Sequence, residues 1–142
     1  PSTGDVTSTH ARRYAQCRRK TSKGQTECLR LAGFTVEKIY FSAVAEGNLL
    51  SHPAAQRQQW VVCGTESHVC VQQTVLDLLA AGRNVAVVEE AVGSRKATDK
   101  ALALERMRQL GAQIVSREMV AFEWLNRAGT DLFRSVLKGY IR

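Results

Sequence analysis

The stretch that most constrains the fold is an apolar run followed by a tight turn and an amphipathic run. Residues 60–63 (WVVC) have the continuous apolar character of a buried strand, which a glycine then ends. Apolar residues recur at helical spacing from Val71 to Leu79, and Gly82 is a typical residue to follow the end of a helix. The sequence therefore predicts a strand, a turn and a helix, with Cys70 in or near the first helical turn.

The predicted position of Cys70 has chemical consequences. Free backbone N–H groups and the positive end of the helix dipole favour a thiolate, so we expect the pKa of Cys70 to fall. The same N–H groups could stabilise the oxyanion of an acyl-transfer intermediate. The alternative is a small buried cysteine that packs under the sheet, and unreactive buried cysteines are common.

The chain after this unit alternates between strand and helix patterns. Residues 84–88 (NVAVV) predict a second buried strand, and residues 91–95 a loop. A helix capped by Ser94 or Thr98 runs to about Leu110, and a short strand follows it. This alternation predicts an α/β fold with a parallel sheet, in which sites lie at the carboxyl ends of the strands. Cys70 would lie at that edge.

Two terminal helices complete the predicted elements. They cover residues 119–125 and 131–141, and the apolar face of the second is suited to contact a neighbouring element or subunit.

The N-terminal part of the chain has a different character. Residues 1–30 hold seven basic and two acidic residues, which accounts for most of the net charge of +7, and their apolar residues follow no strand or helix period. We expect this stretch to be mostly irregular and divide the chain into a basic segment, 1–35, and an α/β domain, 36–142. Nucleic-acid binding is not favoured, because Tyr14 is the only aromatic residue among these charges.

Composition bounds the compartment and the cofactors. The four cysteines show no zinc-ligand spacing and are too few for a disulfide scaffold. We therefore expect a reducing compartment, the cytoplasm, or alternatively the mitochondrion because the N-terminal segment is rich in arginine and serine. No apolar run approaches the length of a membrane span, and we expect neither a metal nor another cofactor.

Lys38 lies among apolar residues in the stretch that precedes the central unit. Its neighbours alone favour a surface lysine on a half-buried strand over a cation directed into a site.

Two long stretches of the sequence resemble a known family of proteins. CGTESHVCVQQTVLDLLAAGRNVAVVEEAVGSR (63–95) and ALERMRQLGAQIVSREMVAFEWL (103–125) resemble the isochorismatase-like cysteine hydrolases, which include nicotinamidases and carbamoylsarcosine amidases. The resemblance runs from about Val36 to Leu125. It implies a three-layer α/β/α, Rossmann-like fold and an Asp–Lys–Cys triad.

The resemblance also assigns roles to particular residues. Cys70 matches the nucleophile, and Lys38 matches the lysine that helps to hold the thiolate, which reverses the surface interpretation. A cis peptide bond would join Thr65 and Glu66 and turn N–H groups toward an oxyanion. Amide-type substrates, a thioester intermediate and a homo-oligomer are implied as well.

Other residues of the region have two interpretations each. Ser94 and Arg95 could contact a substrate carboxylate, and a helix cap and a surface ion pair are the alternatives. His68 is interpreted as a turn-packing residue, since it and Cys70 are two residues apart and face different ways on a helical turn.

The sequence departs from the family at its N-terminus. Family members begin with an apolar strand that ends in the general-base aspartate, and residues 1–35 show no such strand. We do not assign that role to Asp5, and the metal-binding Asp/His cluster of nicotinamidases is also missing. The N-terminal strands are therefore predicted to be missing or replaced. The alternatives are that residues 1–35 form a replacement, that a partner chain fills the gap, and that the chain is a damaged family member. Two functions remain: a cysteine hydrolase of a small amide, and a catalytically impaired family-fold protein that serves as an interaction module.

Overall fold

The computed structural model of the chain describes residues 13–18, 27–31, 34–45 and 49–141. Within these ranges six strands form one sheet. The strands are β1 (Arg13–Arg18), β2 (Glu27–Leu31), β3 (Phe34–Lys38), β4 (Gln59–Thr65), β5 (Asn84–Gly93) and β6 (Gln113–Val115).

Four helices accompany the described strands. They are α1 (Gln72–Ala80), α2 (Ala97–Gln109), α3 (Arg117–Leu125) and α4 (Asp131–Val136). A π-helical turn, Ser67–Val71, leads directly into α1, and a second one, Leu137–Ile141, follows α4. No helix of the described residues is long and apolar enough to cross a bilayer.

The strand order across the sheet is β3-β2-β1-β4-β5-β6. β1, β4, β5 and β6 are parallel neighbours, and β2 is antiparallel to both β1 and β3. The direction of β3 is therefore the same as that of β4. As a result the carboxyl ends of β3 and of the parallel strands lie along one edge of the sheet.

The strands β1 and β2 occupy a stretch for which the sequence predicted irregular structure, and that prediction is wrong for these residues. β1 pairs with β4 from Arg13↔Trp60 to Cys17↔Gly64, so the central strand β4 has a neighbour on this side. Tertiary pairing supplies the backbone hydrogen bonds here, and it readily overrides a weak local strand signal. Asp5 lies outside the described residues. The division of the chain at residue 35 stays a prediction.

The predicted strand–turn–helix unit and its α/β continuation are confirmed, with two corrections. β5 extends through the predicted loop to Gly93, because its far end pairs again with Gly64 and Thr65. The helix α2 starts at Ala97, and Lys96 precedes it without a side-chain cap, so the predicted capping by Ser94 or Thr98 is wrong.

The longer β5 contains an irregularity opposite Cys63. Val62 pairs with Val87 and Gly64 pairs with Val92, so β5 advances three residues more than β4 between these two pairs. β5 takes up the additional residues in a bulge, after which Val92 and Gly93 pair with Gly64 and Thr65. Bulges of this kind re-aim the residues that follow them.

The helices cover both faces of the sheet, as a three-layer α/β/α fold requires. On one face α1 and α2 pack against alternate residues of β4 and β5 to form the larger core. On the other face a smaller cluster joins Val61, Val88 and Val115 to Val120 of α3. Ser116 caps α3 by accepting a hydrogen bond from the Met119 N–H at 3.1 Å.

Candidate functional site

The turn between β4 and the following helix places Cys70. Gly64 has a φ of 139°, a backbone conformation that favours glycine. The peptide bond between Thr65 and Glu66 is cis, at the position where the resemblance placed a cis bond. The helix then begins at Ser67, so Cys70 lies in its first turn. The side chain of Cys70 is buried, with 5% of its surface exposed. The nucleophile candidate is therefore a buried thiol at the carboxyl edge of a parallel sheet.

Ser67, at the start of this helix, has an unusual environment. It is fully buried, and no group of the described residues forms a hydrogen bond with its hydroxyl. A buried hydroxyl without a partner is costly, and in native proteins such a group usually has an explanation, such as a ligand. Ser67 is a polar group of this turn that the sequence interpretation did not select.

The carboxylate of Glu66 faces the side chains of Arg95 and His68 and does not cap the helix. Its Oε2 lies 3.4 Å from Nε of Arg95 and 3.6 Å from Nδ1 of His68. Glu66 is mostly buried, whereas Arg95 is exposed, so solvent screens this ion pair. The structure thus has the surface ion pair that was the alternative interpretation of Arg95.

His68 makes polar contacts with both of its ring nitrogens. Nδ1 lies 2.9 Å from Oγ of Ser94, and Nε2 lies 3.8 Å from Oδ2 of Asp99 at the start of α2. The interpretation of His68 as a turn-packing residue is therefore incomplete. The imidazole connects the Cys70 turn to the end of β5 and to α2. We define Glu66, His68, Ser94 and Asp99 as the polar cluster.

Lys38 is one of the most deeply buried side chains described, with 2% of its surface exposed. Its Nζ donates hydrogen bonds to the carbonyl oxygens of Tyr40 and Phe41, each at 3.0 Å. The surface interpretation drawn from its neighbours alone is wrong. Lys38 ends β3, so it lies at the same edge of the sheet as the Cys70 turn.

The sequence-predicted site residues are thus brought together in part. Ser94 and Arg95 both contact the Cys70 turn, and Lys38 lies at the same sheet edge. The sequence interpretation missed the contact of His68 with Ser94 and the position of Asp99. No local signal could have revealed these contacts, because they join residues 26 or more positions apart.

A separate cavity of about 460 Å³ lies on the α3 face. Its lining is mostly apolar and includes Cys63, Trp124 and Tyr140, but not Cys70. Burial raises the pKa of the Cys63 thiol, so this cysteine favours its neutral form. On β5, hydrogen bonds from two backbone N–H groups, first that of Glu90 itself and then that of Arg117, hold the pKa of the Glu90 carboxyl below its ordinary value.

Comparison with known proteins now identifies the group to which this fold and turn belong. The Isochorismatase domain matches residues 8–119, most of the chain. The chain belongs to the isochorismatase family. The match begins upstream of Val36, where the motifs of the sequence begin, so it includes β1 and β2.

Individual family members resemble the chain over part of their own length. A secreted isochorismatase effector, Isc1, of Phytophthora sojae is 48% identical over 83 residues, which are 58% of this chain and 40% of that protein. The MAR1 ribonuclease structure from Caenorhabditis elegans superposes with a TM-score of 0.62 at 34% identity, over 74% of this chain and 54% of that one. The nicotinamidase PncA from Bacillus subtilis gives a TM-score of 0.52 at 26% identity, over 56% and 45%. The matched region spans about two fifths of the curated relatives' length.

Within this family fold, β1 is the parallel neighbour of β4. Its residues, RYAQCR, contain no aspartate or glutamate. A strand therefore lies beside β4, but it lacks the aspartate that ends the first strand of family members, which agrees with the prediction of a replaced strand. Among the described residues no three histidine, cysteine, aspartate or glutamate side chains are grouped as ligands for a metal ion.

Proposed function

We propose that this isochorismatase-family hydrolase fold acts as a cysteine hydrolase on a small amide, with Cys70 as the nucleophile. The observation that carries the proposal is the buried Cys70 in the first turn of the helix that follows the cis peptide bond at the carboxyl edge of the sheet. A helix N-terminus favours the thiolate, and the thiolate is the reactive form of cysteine. The nicotinamidase relative, by its name, acts on an amide, which supports this substrate class.

The reaction would proceed in two steps. The sulfur of Cys70 attacks the carbonyl carbon, the carbon–nitrogen bond breaks, and the amine leaves with a proton, so that a thioester remains on Cys70. Water then attacks the thioester and releases a carboxylic acid and the thiol. N–H groups of the Cys70 turn would stabilise the oxyanion of each step, and the unpartnered hydroxyl of Ser67 is a further candidate donor.

Both steps need groups that hold charge and move protons. We assign the stabilisation of the thiolate to Lys38, whose buried ammonium lies at the same edge of the sheet. β1 carries no carboxylate that could transfer protons. We assign proton transfer to the polar cluster, because its titratable members Glu66 and His68 belong to the Cys70 turn itself. Proton transfer by a positioned group contributes roughly 10²–10⁴-fold to the rate.

The first experiment is to trap the thioester. The protein is incubated with a panel of small primary amides, quenched in acid and digested, and the peptide that contains Cys70 is weighed by mass spectrometry. We expect an acyl mass increase on Cys70 with the amides that are hydrolysed. Substitution Cys70→Ser should lower the hydrolysis rate by about 10³-fold or more.

Cys63→Ser is the matched control for this experiment, because Cys63 lies on the other face of the sheet and favours its neutral form. Hydrolysis by the Cys63→Ser variant should equal that of the unsubstituted chain. If Cys70→Ser retains activity, or if the acyl group appears on Cys63, the proposed function is wrong.

A catalytically impaired family member is the second candidate, and the absence of a carboxylate from β1 favours it. This candidate predicts no turnover of any amide. The panel also includes a short RNA, because the worm relative is named a ribonuclease. RNA cleavage that survives Cys70→Ser would replace both candidates.

A further inference from the structure

The residues that directly follow Lys38 fold around its ammonium group. Nζ of Lys38 donates to the carbonyl oxygens of Tyr40 and Phe41 at 3.0 Å each. The position of the cation is therefore set by the conformation of its own loop. We define residues 38–45 as the lysine loop.

The far end of the lysine loop is attached to the helix that carries Cys70. Oγ of Ser42 donates to Oδ2 of Asp77 on α1 at 2.5 Å, and the N–H of Ala43 donates to Oγ1 of Thr74 at 3.0 Å. Ser42 and Thr74 are buried, with 3% and 4% of their surfaces exposed. The bond to Thr74 is buried, and the bond to the Asp77 carboxylate is partly buried and charge-assisted, so both are costly to break and fix this attachment.

The attached residues have a definite relation to Cys70. Thr74 follows Cys70 by four residues and Asp77 follows it by seven, along a helix that continues from the π-helical turn into α1, and such positions lie on one side of a helix. The same side of the helix therefore carries the nucleophile candidate and both attachment points of the lysine loop.

We propose that Asp77 and Thr74 are positioning residues that hold the lysine loop, and with it the ammonium of Lys38, at a fixed place relative to Cys70. This inference rests on the proposed function, since it concerns how two residues of the proposed site are aligned. Neither positioning residue acts on the substrate. Asp77 acts through Ser42 and Thr74 through Ala43, by way of the lysine loop that begins at Lys38.

The test measures the rate at which iodoacetamide modifies Cys70 between pH 5 and 9, read by peptide mass on the full chain. Lys38→Met should lower the rate at pH 7 by about tenfold, because one unit of pKa changes the thiolate fraction by that factor. Asp77→Asn keeps the shape of the side chain but weakens its hydrogen bond. It should lower the rate in the same direction by a smaller factor, about threefold.

The double variant Lys38→Met/Asp77→Asn separates positioning from a general structural effect. If Asp77 acts through Lys38, the double variant should react like Lys38→Met alone, because no cation is left to position. Asp131→Asn is the matched control, since Asp131 is fully exposed and pairs with Arg134 within α4. It should leave the rate unchanged.

Each outcome decides between the two proposals. Slowing by Lys38→Met together with an unchanged rate for Asp77→Asn overturns the positioning role and leaves the proposed function standing. Multiplicative effects in the double variant also overturn it. An unchanged rate for Lys38→Met overturns the role of Lys38 in the proposed function, and the positioning role with it. If Asp77→Asn fails to fold, Thr74→Val and Ser42→Ala provide the same comparison from the other attachment point and from the loop side.

Discussion

The two halves of the sheet differ in how the sequence specifies them. The patterned half, β4 to β6 with α1 and α2, consists of apolar runs and amphipathic helices that can be identified from the residues. The N-terminal half, β1 to β3, belongs to the same sheet, yet β1 and β2 come from a stretch rich in arginine and lysine without apolar alternation. The first half is specified by side-chain pattern, and the second by the strands beside it.

This difference suggests how each half depends on the other. β4 has β5 on one side and β1 on the other, so it is the strand at which the two halves join. The Cys70 turn follows β4 directly, whereas Lys38 ends β3 in the other half. The proposed site therefore takes one residue from each half, and its integrity depends on the pairing between them.

The largest effect is expected from interrupting the pairing of β1, because this half of the sheet depends on its neighbouring strands. Successive backbone N–H groups of a strand point to opposite sides, and β1 has a neighbour on both sides. Both Ala15→Pro and Gln16→Pro should therefore lower the free energy of unfolding by about 3 kcal/mol or more. Urea denaturation measures the change.

Proline in the edge strand is the matched control. β3 stands at the end of the sheet of described strands, so of two consecutive residues only one N–H points toward β2. One of Thr35→Pro and Val36→Pro should be tolerated much better than the other. Tolerance of both proline substitutions in β1 would contradict the pairing with β4.

A second prediction sharpens the role of side-chain pattern in the patterned half. Leu78 of α1 is fully buried in the larger core, and Leu102 of α2 is 70% exposed. Leu78→Ala should lower the free energy of unfolding by about 2–5 kcal/mol. Leu102→Ala should change it by about 0.5 kcal/mol or less. Equal effects would mean that the helices do not pack on β4 and β5 as described.

The smallest expected effect is a change of folding stability with pH that comes from Glu90, on β5 of the patterned half. The pKa of Glu90 is lowered in the folded state, chiefly by backbone N–H groups, so its ionised form stabilises the fold. This contribution is present above the unfolded-state pKa of about 4.3 and is lost as the pH falls through the lower folded-state value. Unfolding by urea at pH 5 and at lower pH values measures it.

Substitution Glu90→Gln removes the titrating group and keeps a hydrogen-bond acceptor for the Arg117 N–H, which lies 2.9 Å from the Glu90 carboxylate. The stability difference between the unsubstituted chain and the variant should therefore be present at pH 5 and vanish on acidification. Glu89→Gln changes the adjacent exposed carboxyl and is the control. A constant difference at all pH values would assign the effect to another cause.

The sequence predicted the fold class and the patterned half, because burial on both faces of a parallel sheet leaves long apolar runs. It also placed Cys70 in the first helical turn. It did not reveal β1 and β2, whose backbone hydrogen bonds are satisfied by partners distant in sequence. The burial of Lys38 followed only from the resemblance, since its flanking residues favoured the surface.

The contacts of the polar cluster could not be predicted either, because they join residues that are far apart in the sequence. His68 meets Ser94 and Asp99 only because the β5 bulge and the start of α2 bring them to the turn. Likewise the hydrogen bond from Ser42 to Asp77 spans 35 positions of the chain. Local pattern specifies elements, but these contacts follow from how the elements are joined.

The bulge in β5 has a consequence for how this architecture tolerates change in chain length. The three additional residues between Val87 and Val92 are taken up within the bulge, because Val92 and Gly93 pair again with Gly64 and Thr65. A deletion of these three residues would therefore leave a regular ladder, and the pairs on both sides of the bulge, with Ser94 and Arg95 just beyond them, would keep their places. The bulge is therefore a position at which the chain can change in length without moving the loop that follows it or rebuilding the scaffold beneath it.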